Sequence, residues 1–187
     1  MVAGAWYNGK IYMIIVFTGN GKGKTTASLG QMVRVTGRGK RALMIQFIKG
    51  PWASGEDEFE KRFTFQDSRF KIVKMGLGFV GILGDRLPRE KHGEAAEQAL
   101  AMFKSEMEKG TWHVIVLDEI NVAVSLGLLA VQKVLDAIRH YPDDKLLILS
   151  GRGAPQEFID RADLATEMRE IKHPFNDKKL AKIGVEF

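Results

Sequence analysis

Apolar residues along the chain fall into short β-branched runs, separated by stretches in which they recur at helical spacing. The runs are Ile11 to Phe17, Ala42 to Phe47, Phe70 to Met75, Val114 to Leu117 and Leu146 to Leu149. Continuous rather than alternating apolar runs predict strands buried on both faces, the habit of a parallel sheet. Helices are expected over about 24–36, closed by Gly37, over 88–109 with Pro88 in its first turn, over about 129–140 stopped by Pro142, and briefly over 156–161. A last extended piece, Glu167 to Ile171, precedes a tail ending at Phe187. Strands alternating with helices predict an α/β fold, a mostly parallel sheet with helices on both faces. A length of 187 residues fits a single domain.

Two connections stand out. Gly50-Pro51-Trp52-Ala53-Ser54-Gly55, followed by Glu56, Asp57 and Glu58, reads as an exposed loop. The stretch Met75 to Gly84 carries Gly76, Gly78, Gly81 and Gly84 among large apolar residues. Loops are usually polar, so this one is either a buried crossover or an apolar binding lid.

Composition narrows the function classes. Hydrophobic residues make up 45% and charged residues 27%, ordinary for a globular chain. The absence of cysteine excludes disulfides, thiolate metal sites and cysteine nucleophiles, and is compatible with a cytoplasmic location. No apolar run reaches the roughly 18 to 20 residues of a membrane span. The run from Ile11 leads straight into a Gly-rich loop, so it is read as a first buried strand rather than a secretory signal. The net charge of +5 is spread along the chain among interleaved acids, and a polyphosphate ligand uses such charge as well as nucleic acid does.

The chemistry concentrates at strand ends. Thr18-Gly19-Asn20-Gly21-Lys22-Gly23-Lys24-Thr25 lies between a strand and a helix, the context that makes a Walker A loop credible even with Thr18 in place of its first glycine. Glycines let backbone N–H groups turn toward an anion, and the helix that follows adds its positive end. Gly19, Asn20, Gly21, Lys22, Gly23, Lys24, Thr25 and Thr26 are thus the expected triphosphate site. Lys24 would reach the terminal phosphates and Thr25 would join a Mg²⁺ shell, with Mn²⁺ as a substitute. Val114-Ile115-Val116-Leu117-Asp118-Glu119 has the form of a Walker B strand, whose Asp118 and Glu119 could hold that ion directly or through water; alternation lets only one of them face it best. Arg152, between Gly151 and Gly153 after the fifth strand, suits bidentate contact with phosphate oxygens. His92, His113, His140 and His173 share no metal-like spacing and receive no role. Apart from Glu119, no residue offers itself as a general base. Hydrolysis needs one, whereas attack on a carbon of ATP by a nucleophile that the substrate brings does not.

The segments GNGKGKTTASLG, VIVLDEIN, LSGRGAPQEFIDRADLATEM, IKHPF and GVEF, with QFIKGPWASGE after the second strand, resemble the ATP:corrinoid adenosyltransferases of the CobA/CobO/BtuR class from about Ile11 to Phe187. The resemblance implies a RecA-like P-loop NTPase fold and a homodimer. It implies ATP and a corrinoid, either cobalamin or cobyrinic acid a,c-diamide, as substrates, with Co(I) attacking the 5′ carbon and expelling triphosphate. Thr25 and Glu119 would hold Mg²⁺, and Lys24 and Arg152 would stabilise the leaving triphosphate. Phe79 matches an aromatic that presses on the lower corrin face and eases reduction of Co(II). Gly81 stands where the family has Trp, and the basic, Gln-rich helical extension of longer members has no counterpart before Ile11. An electron-donor protein such as a flavodoxin or ferredoxin is implied, with neither nucleic acid nor membrane as partner. Two competing readings are a RecA-like ATPase acting on nucleic acid, which would make ADP and phosphate, and an ATP-bound corrinoid carrier, which would turn nothing over.

Overall fold

The structure is a computed structural model that describes residues 13–63, 69–82, 84–174 and 184. The chain runs β1 (Met13–Thr18), α1 (Lys24–Thr36), β2 (Ala42–Gln46), α2 (Gly55–Phe63), β3 (Phe70–Lys74), α3 (Arg89–Glu108), β4 (Val114–Asp118), α4 (Ile120–Ser125), α5 (Val131–Ile138), β5 (Leu146–Ser150), α6 (Gln156–Arg161) and β6 (Leu164–Glu167). One six-stranded sheet orders them β3-β2-β4-β5-β1-β6, every pair parallel. β5 therefore sits between the strand that opens the Gly-rich loop and the strand that ends in the acid pair, the RecA-like arrangement that the sequence implied.

The two-residue period of the strands divides the core. Ile14, Val16, Leu43, Ile45, Ile115, Leu117, Leu147 and Leu149 face α3 and α5, where Leu100, Phe103, Val134 and Ile138 pack on them. Ile15, Phe17, Ala42, Met44, Val114, Val116 and Ile148 face α1 through Met32. Both sheet faces are covered, which is why the strand sequences carry no polar alternation.

Three expectations are corrected. The acids after Gly55 belong to a helix, not to a loop. Ser54 and Asp57 form its N-terminal clasp, Asp57 Oδ2 accepting from the Ser54 backbone N–H at 2.7 Å and the Ser54 hydroxyl at 2.9 Å. Glu56, Asp57 and Glu58 in the first turn and Lys61 and Arg62 in the last complement the helix dipole. The last strand is Leu164–Glu167, earlier than the extended piece expected from Glu167 to Ile171. It pairs with β1 from Ile15↔Leu164 to Thr18↔Glu167, and Asp163 sets the register by accepting the Ile14 N–H at 2.7 Å. Third, α4 begins directly after the acid pair, where no helix was expected. The start of the first expected strand, Ile11 and Tyr12, and the closing GVEF except Gly184, lie outside the described residues.

Over its described residues 75–82, the Met75–Gly84 connection is neither wholly buried nor loose. Phe79 is 47% exposed. On one side of it the Gly78 N–H donates to Ile48 O at 2.9 Å, and on the other the Gly81 N–H donates to Asp85 Oδ2 at 2.8 Å. Asp85 also accepts from Leu87 N–H at 3.0 Å and lies 3.0 Å from His92 Nε2 on α3. Gly78 and Gly81 have φ of 109° and 70°, conformations in which a side chain would be strained.

Candidate functional site

The carboxyl ends of β1, β2, β4 and β5 open on one cavity of about 620 Å³. Gly21 to Thr26, Phe79, Glu119 and Arg152 line it, so the structure gathers most of the expected binding residues. Gly19 and Asn20 instead line a separate recess near Thr166 and Glu167, and Asp118 is fully buried beneath the floor.

Within the loop the glycines have a use the sequence did not reveal. A Cβ at Gly21 would sit 2.7 Å from Met168 O, and one at Gly19 2.5 Å from the same atom, so the chain after β6 lies against the loop where only glycine fits. The Gly21 N–H donates to Met168 O at 2.6 Å instead of turning toward the cavity. The buried Lys24 ammonium folds into the loop, donating to Gly19 O and Gly21 O, both at 2.7 Å. Burial lowers its pKa, against the pull of Glu119. A phosphate would replace these carbonyls as the partner of Lys24.

The two acids have different tasks. Asp118 Oδ1 accepts from the Thr25 hydroxyl at 3.0 Å and from Ser150 at 2.6 Å, while Oδ2 accepts from Gln46 Nε2 at 3.1 Å and lies 3.8 Å from Lys49 Nζ. Four chain segments thus meet on one carboxylate. Glu119 takes a left-handed conformation, φ 64°, the one non-glycine residue with positive φ among those described. This turn ends β4, starts α4 and brings the Glu119 side chain to the cavity. Burial, and next the Asp118 charge, push its pKa up to about 7, although Lys24, Lys49 and Arg152 pull the other way.

The donor set fits a hard cation. A hydroxyl (Thr25) and a carboxylate (Glu119) line the same cavity with a second carboxylate behind the hydroxyl. The described residues contain no cluster of three or more His, Asp or Glu placed to hold a metal.

Lys49 and Glu56 escaped the sequence reading. Their ion pair, Nζ to Oε1 2.6 Å, sits on the cavity wall. Burial disfavours the Lys49 charge, but Asp118 and Glu56 outweigh it and the net shift is upward. His173, given no role, also lines the cavity. Asn121 ties the site together from below, its Nδ2 donating to Gly151 O at 3.1 Å and Phe17 O at 3.3 Å. A second, apolar cavity of about 370 Å³ adjoins the first, sharing Lys49, Phe79 and Glu119 and adding Ile48, Gly78 and Trp52.

The model of one family, ATP:corrinoid adenosyltransferase BtuR/CobO/CobP, matches residues 10–187. A corrinoid adenosyltransferase of Escherichia coli (strain K12) is 33% identical over 175 residues, 94% of this chain and 85% of that protein. One from Pseudomonas aeruginosa is 35% identical over 94% of this chain and 83% of its own length. One from Sinorhizobium sp is 37% identical over 94% and 80%. No described helix is long and apolar enough to cross a membrane.

The raised pKa of Glu119 has a consequence for stability. Its folded value, about 7, lies above the ordinary 4.5, so the native state holds a proton that the unfolded chain gives up. That contribution is complete below the unfolded pKa and is lost as pH rises through the folded one. Glu119→Gln should therefore flatten the fall in melting temperature of metal-free protein between about pH 5 and pH 8. Parallel melting curves for the two proteins across that range, recorded by circular dichroism in chelator, would show that the carboxyl is not held protonated.

Proposed function

Since the chain belongs to the ATP:corrinoid adenosyltransferase family, we propose that it transfers the 5′-deoxyadenosyl group of ATP to the Co(I) of a reduced corrinoid, cobalamin or cobyrinic acid a,c-diamide, and releases triphosphate. The observation that supports this most is the shared wall of Lys49, Phe79 and Glu119 between a cationic phosphate cavity and an apolar one. A nucleotide in the first and a flat macrocycle in the second would meet at that wall.

In this reading the electron pair of Co(I) forms the bond to C5′, the C5′–O bond breaks, and its pair leaves on the triphosphate. The substrate brings the nucleophile, so no protein base is required. What the protein must supply is a fixed positive field where charge develops. Lys24, released from the Gly19 and Gly21 carbonyls, and Arg152 at the rim supply it. Mg²⁺ held by Thr25 and Glu119 would add its own charge to the phosphate oxygens when bound. Asp118 keeps the Thr25 hydroxyl in place. Phe79 offers its exposed ring to the corrin, and a separate electron-donor protein, such as a flavodoxin or ferredoxin, would provide the Co(I) state. We further take the working form to be a homodimer.

Lys24→Ala should reduce formation of the light-sensitive cobalt–carbon bond by roughly 10²-fold or more, the usual effect of removing a preorganised charge donor. Its melting temperature should change little, because among the described residues the Lys24 ammonium bonds only to its own loop. Wild-type turnover in a normally folded Lys24→Ala protein would overturn the assignment of the phosphate site.

Phe79→Ala separates chemistry from reduction. The ring is nearly half exposed, so stability should fall well short of the roughly 3 to 5 kcal/mol expected of a core phenylalanine. Activity from chemically reduced Co(I) should persist, while activity from Co(II) with a weak reductant should drop steeply. Equal losses from both starting states would count against a role at the lower axial face.

A further inference from the structure

We propose that Trp52, on the loop after β2, is a second corrinoid-contacting residue, whose indole and the Phe79 ring together form one apolar floor for the macrocycle. The inference rests on the adenosyltransferase reading above and adds to it where the second ring comes from.

Trp52 is 61% exposed and Phe79 47%. Their centroids lie 6.0 Å apart with the planes inclined by 33°, so the two rings form one shallow surface. Both line the apolar cavity, which continues into the phosphate cavity past Glu119. At Gly81, two residues beyond Phe79, an added Cβ would meet nothing within 4 Å, so that side of Phe79 is open. The neighbouring ring arrives from the other loop.

The exposed indole is also fixed in place. A Cβ at Gly50 would lie 2.5 Å from Trp52 Cζ3, and one at Gly78 would lie 2.7 Å from Cη2. The ring therefore rests on two glycines, one from each loop, and no larger residue fits under it. Its carbonyl accepts from Lys74 Nζ at 2.6 Å, and Lys74 in turn holds Asp57 at 2.5 Å and the Ser54 hydroxyl at 3.2 Å. The ring thus gives a large apolar face to water while its other side packs on both loops. A binding platform calls for both properties, since ordering is done before the ligand arrives.

A flat ring on this floor could instead be the adenine of ATP, and a ring wedged between loops could serve stability alone. Equilibrium dialysis of cob(II)alamin in the presence of ATP and Mg²⁺, with ATP binding measured separately, distinguishes these. Trp52→Ala should raise the cob(II)alamin Kd about tenfold or more and leave the ATP Kd unchanged. Trp52→Leu, which keeps apolar bulk between the loops, should weaken cob(II)alamin similarly, and Trp52→Phe should restore most of the affinity. Gly78→Ala, which displaces the indole without removing it, should behave like Trp52→Ala. Loss of ATP affinity instead would assign the ring to adenine and overturn the proposal. Unchanged cob(II)alamin affinity in Trp52→Leu would overturn it too. A wild-type protein that takes up no cob(II)alamin would sink the adenosyltransferase reading itself.

Discussion

The site depends on one buried carboxylate. Asp118 has no exposed surface, and an unpaired charge there would be prohibitively costly. It is tolerable because Thr25 of α1, Ser150 of β5 and Gln46 of β2 all donate to it, with Lys49 close by. The same bonds that satisfy the charge bring the ends of neighbouring strands and the phosphate loop into one register. Fold and site are therefore not separable at this point: the group that would be most damaging if unpartnered is also the one that holds the Thr25 hydroxyl at the cavity.

The left-handed turn at Glu119 follows from that arrangement. With Asp118 committed to the interior, the next residue reaches the cavity only if the backbone reverses, and Glu119 does so at φ 64°. Burial of its carboxyl, and next the charge of Asp118, raise its proton affinity above that of an ordinary glutamate, although Lys24, Lys49 and Arg152 pull the other way. Lys24, Lys49 and Arg152 line one cavity. Lys24 donates to the Gly19 and Gly21 carbonyls, and Lys49 pairs with Glu56.

Much of this was legible in the sequence because it is local. The Gly-rich loop between strand and helix, the acid pair at a strand end and Arg152 between glycines are contiguous signals. Gly21 to Thr26, Glu119 and Arg152 meet on one cavity, while Gly19, Asn20 and Asp118 lie off it. The division of labour between Asp118 and Glu119 was not legible, since it rests on one backbone angle and on donors from Gln46 and Ser150, distant in the chain. Lys49, Glu56 and Trp52 escaped for the same reason: their partners lie across a loop or on another strand. α2 was missed although its signal was present, because the Ser54–Asp57 clasp sits inside a run of Gly, Pro and Ser that reads as a turn. β6 was displaced because its four residues are exposed and carry no apolar run; pairing with β1 places it.

The central claim is that the phosphate cavity serves a nucleophile attacking carbon, not one attacking phosphorus. Phosphorus NMR of the reaction with ATP, Mg²⁺ and chemically reduced corrinoid reads this directly. Intact triphosphate should appear in step with cobalt–carbon bond formation, only when corrinoid is present, and without stimulation by DNA or RNA. ADP and inorganic phosphate as the products, formed at the same rate without corrinoid, would contradict it.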